Sequence, residues 1–296
     1  MSSYTKKLCD ENIINTPKWL PDNIMFEGIT GSVAYGVSND TSDMDIVGFC
    51  MPPKELMFPH LSGEIFGFGK QIQRFEQYQE HHIEVKEWNK TFDITIYSIV
   101  KFFQLAMENN PNMVDVLFLP RRCVLHSTAV YEKVRDNRHL FLHKGSWPKF
   151  KGYAYSQLSK LEIGTNKSNP KRAESIAKFG YDTKFAYHIV RLLLEVEQIL
   201  TEHTLNLERN SEVLKDIRKG NWSLEKLKDW FSNKEEDLER VYNTSTLDYK
   251  PKEHDIKNLL LECIDIHYGK IPVELNVEAK AKSLIREMQE LLEKYK

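Results

Sequence analysis

The first part of the chain alternates apolar and polar residues at the spacing of β-strands. "IMFEGI" at 24–29 and the apolar run at 43–49 are short, and small or polar residues bound both of them. This pattern is typical of strands in a half-buried sheet. "HHIEVKEW" and "FDITIY" predict a strand pair around Asn89–Lys90, and "MVDVLFLP" at 113–120 is interpreted as a further short strand.

The pattern becomes helical in the second half. A helix is predicted from Ser98 to just before Asn110–Pro111, and beyond about residue 145 apolar residues recur only at helical spacing. The sequence therefore predicts an α+β fold in which a small mixed-sheet domain, residues 1–145, precedes an all-helical domain, residues 146–296. A long C-terminal helix is expected over 273–296.

The composition is that of an ordinary globular protein. The chain has 296 residues, of which 41% are hydrophobic and 28% charged, and its formal net charge is −2. Its four cysteines form no CxxC pair, so neither a disulfide framework nor a zinc knuckle is expected. No apolar run approaches the length of a membrane span. A reduced, cytoplasmic location without a membrane partner is predicted.

Charge is unevenly distributed along the chain. The window 144–191 contains ten lysines and arginines against three acids, a net charge of +7, together with eight aromatic residues. Such a region suits a polyphosphate or a nucleic acid such as RNA. A helical surface studded with lysines is the alternative interpretation.

Two carboxylates lie one residue apart in the second predicted strand. Side chains at that spacing point to the same face of a strand, so Asp43 and Asp45 are expected to repel each other. A bound cation would offset the repulsion, and Mg²⁺ often binds through one or two carboxylates plus substrate phosphates. A third carboxylate is expected from Asp93 on a neighbouring strand, with Glu84 as the alternative. The pattern predicts a site for Mg²⁺ or Mn²⁺.

A turn of small residues comes before the acidic strand. Gly31 permits a tight turn, and Ser32 is expected to cap a short helix, "VAYG". Backbone N–H groups and a serine hydroxyl at a helix start can bind phosphate. A Gly-Ser pair alone usually marks only a turn, and a D-x-D sequence alone is commonly a surface loop. Their order along the chain is more specific than either.

That order resembles the DNA polymerase β-like nucleotidyltransferase superfamily. The signature hG[GS] followed by [DE]h[DE]h matches Gly31-Ser32 and 43–46, and longer blocks over 25–220 look like a nucleotidyltransferase group of bacteria and phages. The resemblance implies that Gly31 and Ser32 hold a triphosphate. It also implies that Asp43 and Asp45 bind both metal ions and that Asp93 completes the site. The spacing to the third carboxylate varies in the superfamily.

A polar stripe runs along an otherwise apolar helix predicted over 182–200, for which Asp182 is the expected N-cap. Its members fall on one helix face: Lys184, His188, Arg191 and Glu195. A helix this apolar should be buried, so the stripe is expected to line a cleft or to pair internally. Lys184, His188 and Arg191 are predicted to bind nucleotide. A solvated face with an Arg191–Glu195 pair is the alternative.

Several other polar residues are weaker candidates. Arg121 and Arg122 belong either to a basic rim or to a solvated turn, and His81–His82 are interpreted as strand-surface residues rather than zinc ligands. Residues early in the helical half are candidate nucleotide contacts: Lys151, Tyr153, Gln157 and Lys160.

The resulting functional hypothesis is a two-metal enzyme. It transfers a nucleoside monophosphate from an NTP to an acceptor hydroxyl, with RNA a plausible acceptor, and releases pyrophosphate. Two alternatives stay open at this point. One is a non-catalytic sensor of nucleotide or RNA, and the other is a regulator that transfers AMP to a protein side chain.

Overall fold

A computed structural model describes residues 3–38, 43–61, 63–163 and 170–269. The helix predicted over 273–296 and one cation of the basic window, Lys167, lie outside these residues.

A mixed five-stranded sheet forms the first half of the described chain. Its spatial order is β3-β4-β2-β1-β5; β2 and β4 run parallel, whereas the other neighbouring strands are antiparallel. The strands are β1 (Ile24–Ile29), β2 (Met44–Cys50), β3 (Gln77–Val85), β4 (Lys90–Ser98) and β5 (Val124–Ser127).

The strand predictions are confirmed where the local pattern is strong. β1 has the predicted bounds and β2 is shifted by one residue, while the predicted pair around Asn89–Lys90 corresponds to β3 and β4. β3 begins at Gln77, four residues before the segment "HHIEVKEW" from which the strand was predicted. β5 was not predicted. Residues 86–88 form a short 3₁₀ helix and not the end of a strand.

The segment interpreted as a strand at 113–120 is instead largely helical. Helix Pro111–Leu117 begins after Asn110, whose side chain accepts a hydrogen bond from the Asn112 N–H at 3.1 Å. Proline in the first helical position needs no hydrogen-bond partner for its nitrogen. The cap and the proline therefore start a helix, and the apolar run fills a helix that is buried on almost every side.

Most of the remaining regular structure in the described chain is α-helical. In order they are α1 (Tyr4–Asp10), α2 (Gly31–Ala34), α3 (Lys54–Met57), α4 (Ile99–Met107), α5 (Pro111–Leu117), α6 (Ala129–Asp136), α7 (Ser146–Ile163), α8 (Pro170–Phe179), α9 (Thr183–Glu202), α10 (Ser211–Arg218), α11 (Leu224–Thr244) and α12 (Glu253–Tyr268). The fold is α+β with a helical second half, as predicted.

The two halves share one apolar core. Its buried side chains come from the sheet, as with Phe26 and Phe49, and from the helices beyond residue 145, as with Phe150 and Ile189. A smaller core lies between the other face of the sheet and α1. The division of the chain at residue 145 stays a prediction.

Helix α9 lies at the centre of the helical half and packs against α7, α10 and α11. The Asp182 side chain caps it by accepting a hydrogen bond from the Lys184 N–H at 2.8 Å, as predicted. Packing of α9 in the core holds the polar stripe of this helix at a fixed position relative to the sheet. In the part of the chain that is described, no helix is long and apolar enough to cross a membrane.

Candidate active site

Two predicted site residues are direct neighbours on the parallel strands. Asp45 of β2 is the register partner of Asp93 of β4, and adjacent strands lie about 4.8 Å apart. The next residues along these strands, Ile46 and Ile94, are fully buried on the opposite face of the sheet. Asp43 lies just before β2, two residues from Asp45, so its side chain is expected on the same face of the sheet. The sheet therefore brings the predicted carboxylates to one side.

The chain before β2 lies against Asp45. Gly31 has φ +65°, and a Cβ atom there would lie 2.4 Å from Asp45 Oδ2, so only glycine fits. Thr30 donates from its N–H and from its hydroxyl to the Asp45 carbonyl, at 2.8 and 3.2 Å. The prediction that Ser32 caps the short helix is wrong. Helix α2 begins at Gly31, so Ser32 lies within it, and the hydroxyl of the N-cap residue Thr30 is already bound to β2.

A cleft of about 320 Å³ opens between this face of the sheet and the helices α5 and α9. It is lined on the sheet side by Gly31, Asp45, Gln79, His81, Asp93, Thr95 and Tyr97, and on the helix side by Tyr35, Asn112, Met113, Asp115, His188 and Arg191. Glu84 is exposed, faces Thr91 on the neighbouring strand and does not line this cleft.

The carboxylates in the cleft are only partly compensated. Burial raises the pKa of Asp45, Lys184 opposes that rise, and the negative charges of Asp93 and Asp43 add to it. Asp45 thus experiences both neighbouring acids and one cation from α9. Oxygen donors of this kind suit Mg²⁺ or Mn²⁺. Within the described ranges, however, no three His, Cys, Asp or Glu side chains converge closely enough to hold a metal ion.

A bulge in β3 brings two histidines to Asp93. The register between β3 and β4 shifts between Glu80 and Ile83, and His82 has φ +57°. As a result the His82 backbone N–H donates to Asp93 Oδ1 at 2.7 Å, and His81 Nδ1 lies 3.5 Å from Asp93 Oδ2. Both histidines are exposed on the strand, as predicted, but their contact with Asp93 was not predicted. Left-handed backbone at a non-glycine residue depends on strand pairing, so no local pattern indicates it.

The first half of the polar stripe on α9 faces the cleft. Lys184 is exposed, and its positive charge acts on Asp45. His188 is half-buried and lines the cleft. Burial holds the pKa of His188 well below 6.5, and four nearby cations lower it further: Arg191, Lys184, Arg172 and Arg218. A neutral imidazole is thus surrounded by positive charge on the wall that faces Asp45.

The second half of the stripe is paired internally. Arg191 donates to Asp115 Oδ2 at 2.6 Å and to Glu195 Oε2 at 2.9 Å, and the Tyr35 hydroxyl donates to the same Asp115 oxygen at 2.6 Å. The guanidinium lies 4.4 Å from the centre of the Tyr35 ring. Arg191 and Glu195 are 5% and 3% exposed, so the interpretation of this pair as a solvated face is wrong. Asp115 was hidden in the segment mistaken for a strand.

The basic window does not form a continuous open basic surface. At least five of its ten cations are buried or bound to acids: Lys144 over the Tyr249 ring, Lys149 with Glu108, Lys151 with Glu235 and Glu239, Arg172 with Asp182, and Arg191 with Asp115 and Glu195. Most of these acids lie outside the window, so counting charge along the sequence overstated the net charge of this region.

The weaker candidates lie away from the cleft lining. Lys151 is held by two acids, and the Tyr153 hydroxyl accepts a hydrogen bond from the Asn110 amide at 2.9 Å. Gln157 is half-buried, and Lys160 lines a separate cavity beside α8. Each arginine of the 121–122 pair forms an ion pair, Arg121 with Glu132 and Arg122 with Glu208.

Comparison with known proteins assigns the family. Residues 11–241 match the RNA repair pathway DNA polymerase beta family, RlaP. The chain belongs to this family. The match covers the sheet, the cleft and α9, so membership supports nucleotidyl transfer as the general class of activity and agrees with the resemblance in the sequence.

The chain is also similar to a phage protein and to a solved structure. An uncharacterized 38.9 kDa protein of Enterobacteria phage T4 is 27% identical over 135 residues, which are 45% of this chain and 37% of the phage protein. The chain therefore matches well under half the length of that relative. A nucleotidyltransferase-like protein from Exiguobacterium sibiricum gives a TM-score of 0.29 at 10% identity, over 81% of this chain and 73% of that one.

Proposed function

We propose that this protein transfers a nucleoside monophosphate from a nucleoside triphosphate to an acceptor hydroxyl and releases pyrophosphate. One observation carries the proposal: Asp45 and Asp93 are register partners facing a single cleft, and Gly31 lies against Asp45. Membership of the polymerase beta-type family supports it. The family's RNA repair description further supports RNA as the acceptor, and a cytoplasmic site of action, where NTPs are available, belongs to the same proposal.

In this proposal Asp43, Asp45 and Asp93 hold Mg²⁺ or Mn²⁺ when nucleotide binds. The chemistry of the donors fits, because carboxylate oxygens suit these cations. The three side chains would have to draw together as nucleotide binds, since they do not converge closely enough in the described residues to hold an ion. The raised pKa of Asp45, caused by burial and by the two neighbouring acids, is a cost that a cation would offset. Such ions neutralise charge on the α-phosphate and on the departing pyrophosphate.

The triphosphate is proposed to lie between α2 and α9. His188 lines the cleft on the α9 side, and a neutral imidazole can donate one hydrogen bond to a phosphate oxygen. The exposed Lys184, whose charge acts on Asp45, would attract the phosphates. Gly31 and Ser32 approach the phosphates through backbone N–H groups. Arg191 has a different part in the proposal from the one predicted. Because Asp115 and Glu195 share its charge, it supports the wall of the cleft.

In the chemical step, the acceptor hydroxyl oxygen forms a bond to the α-phosphorus. The bond from that phosphorus to the bridging oxygen of the β-phosphate breaks, and the hydroxyl proton passes to the Asp93 carboxylate. The His82 N–H at 2.7 Å fixes one Asp93 oxygen. His81, at 3.5 Å, lies beside the other. Asp93 is therefore held in one orientation before substrate arrives, which is the requirement for effective proton transfer.

The double substitution Asp43→Asn with Asp45→Asn tests the mechanism. Each α-labelled NTP is incubated with Mg²⁺ and RNA, and both labelled product and pyrophosphate are measured. We expect turnover to be lost while the circular dichroism spectrum is unchanged. Asp237→Asn, which alters an exposed acid on α11, is the matched control. Full turnover in the double variant would rule the mechanism out.

The same assay separates the two alternatives. Nucleotide binding by calorimetry without pyrophosphate release would indicate a sensor. Label that appears in protein and not in RNA would indicate a protein-modifying transferase. The two carboxylates paired across the strands favour catalysis over sensing, since closely spaced acids with a perturbed pKa are typical of catalytic sites.

A further inference from the structure

The cleft differs in charge from one end to the other. Near Asp45 its wall includes His188, and the positive charges of Lys184, Arg172 and Arg218 act on that histidine. The charge of Lys184 also acts on Asp45. Along β4 beyond Asp93, the lining side chains are uncharged, and they are Gln79, Thr95, Tyr97, Asn112 and Met113. The Asp115–Arg191 pair also lines the cleft, but its opposite charges are bound to each other. One end therefore suits phosphates and the other does not.

The geometry of in-line transfer indicates which substrate would occupy each end of the cleft. The attacking oxygen and the leaving oxygen lie on opposite sides of the phosphorus that is transferred. If the β- and γ-phosphates occupy the cationic end near Lys184, the acceptor hydroxyl approaches from the other side, past Asp93. The acceptor must then lie along Thr95 and Tyr97. Tyr97 lies four positions after Asp93 along β4, a backbone distance of about 13 Å.

The uncharged end has the chemistry of a nucleoside site. The Tyr97 ring is half-buried in the cleft lining, and its hydroxyl is an uncharged group. Exposed amides at Gln79 and Asn112 offer donors and acceptors near it. An aromatic face with nearby amides is the usual way in which proteins stack and read an unpaired RNA base.

We propose that the part of the cleft formed by Thr95, Tyr97 and Asn112 binds the 3′-terminal nucleoside of a single-stranded RNA acceptor, with its base on the Tyr97 ring and its terminal hydroxyl toward Asp93. This inference rests on the proposed function, because it uses the position of the phosphates. It goes further by giving the acceptor a place in the cleft and by naming the residues that select it.

The test measures binding and not only turnover. The probe is a fluorescent single-stranded oligoribonucleotide with a free 3′-hydroxyl, and its affinity is measured by fluorescence anisotropy. Tyr97→Leu removes the stacking face but keeps an apolar side chain. We expect it to weaken binding about tenfold, within the range for loss of one stacked base. Tyr97→Phe keeps the ring and should bind within about twofold of wild type.

Two further comparisons locate the RNA end. The same oligonucleotide with a 3′-phosphate should bind more weakly than the hydroxyl form, because its terminal charge would face Asp93 and Asp45. Tyr249→Leu, which alters a tyrosine that is 69% exposed and not among the residues lining the cleft, should leave the affinity unchanged. Equal binding of both oligonucleotides, or unchanged affinity in a folded Tyr97→Leu variant, would overturn the inference. So would a wild-type protein that binds neither oligonucleotide.

Failure of this inference is distinguishable from failure of the proposed function. If wild type transfers label to RNA and Tyr97→Leu leaves the KM for the oligonucleotide unchanged, the nucleoside site is wrong and the reaction stands. If the oligonucleotide binds as expected but no NTP is consumed, the reaction is wrong and the RNA site stands. Asn112→Ala should raise the KM for RNA without changing the affinity for NTP measured by calorimetry.

Discussion

Two groups of carboxylates lie at or next to the same cleft, and their charges are compensated to different extents. Asp115 and Glu195 are almost fully buried, and both are bound by Arg191, with the Tyr35 hydroxyl also donating to Asp115. Asp45 and Asp93 lie side by side on the sheet, and the charge of Lys184 offsets only part of their repulsion. The first group is held by ion pairs to a buried arginine, whereas in the described part of the chain neither acid of the second group forms an ion pair with a lysine or an arginine.

We infer from this difference that Asp115 and Glu195 serve the structure and that Asp45 and Asp93 are available for the proposed chemistry. Removing one partner from a buried ion pair leaves an uncompensated charge and destabilises the fold. Acids that repel each other lower stability, so neutralising one of them should cost the fold little. The first group should therefore respond to substitution mainly in the free energy of unfolding, and the second mainly in turnover.

The largest expected effect is on turnover and comes from exchanging the Asp93 carboxylate for an amide. Asp93→Asn should lower kcat on the order of 10³-fold, because the residue proposed to receive the hydroxyl proton and to hold a cation is lost. The free energy of unfolding in urea should change little. Turnover of labelled NTP and denaturation curves are both measured.

Asp115→Asn is the matched counterpart in the same cleft. It should lower the free energy of unfolding, since it weakens the ion pair with Arg191. A protein in which Asp93→Asn is the more destabilising of the two changes would contradict the division into structural and chemical acids.

The next largest effect is on stability alone. Arg191→Met leaves two buried acids without their cation and should lower the free energy of unfolding by about 3–5 kcal/mol. Lys149→Met removes a partner from a pair with Glu108 that is exposed by roughly two-fifths on each side, and it should cost under about 1 kcal/mol. A loss in Arg191→Met no greater than that in Lys149→Met, by urea denaturation, would show that the Arg191 group is not a structural element.

The two groups of acids also differ in how far they could be predicted from the sequence. The chemical acids stand in a local pattern: a D-x-D pair on a strand after a Gly-Ser turn, with a third acid on a later strand. Spacing on a strand decides which side they face, so the placement of Asp45 and Asp93 on one face was predictable, and the roles of Asp43, Asp45 and Asp93 stay predictions. The Asp182 cap was predictable for the same reason, because a cap depends on adjacent residues.

The structural acids stand in no such pattern. Asp115 meets Arg191 across 76 residues of chain, and Asp115 itself lay in a segment mistaken for a strand. The contact of His82 with Asp93 needs a bulge that exists only when β3 pairs with β4. Such contacts form after distant elements have packed, and hydrophobic periodicity carries no information about them.

A smaller effect should appear in the pH dependence of stability. Burial and the surrounding cations hold the pKa of His188 well below 6.5 in the folded protein. As the pH falls below 6.5, the unfolded chain takes up a proton at His188 that the folded protein does not bind. The free energy of unfolding should therefore fall with decreasing pH, by at most about 1.4 kcal/mol per pH unit from this group.

His188→Gln should remove that part of the slope between pH 6.5 and 5. His254→Gln, at an exposed position on α12, serves as the control. Urea denaturation across this range makes the measurement. An identical slope in wild type and His188→Gln would mean that the imidazole is not held neutral beside the cations, and the proposed hydrogen bond from it to phosphate would lose its support.

The smallest expected effect tests whether the structural group is built from separate contacts or acts as a unit. Tyr35→Phe deletes the hydroxyl that donates to Asp115 at 2.6 Å but keeps the ring beneath the Arg191 guanidinium. If the contacts are independent, the cost should be about 1 kcal/mol, the value of one hydrogen bond.

Combining Tyr35→Phe with Arg191→Met in a double-mutant cycle then decides the question. Both side chains donate to the same Asp115 oxygen, so the loss of one should change the value of the other. We expect a coupling energy of at least about 0.5 kcal/mol. Strict additivity would mean that Tyr35 only fills space beside the pair, and that Arg191 alone balances the buried acids.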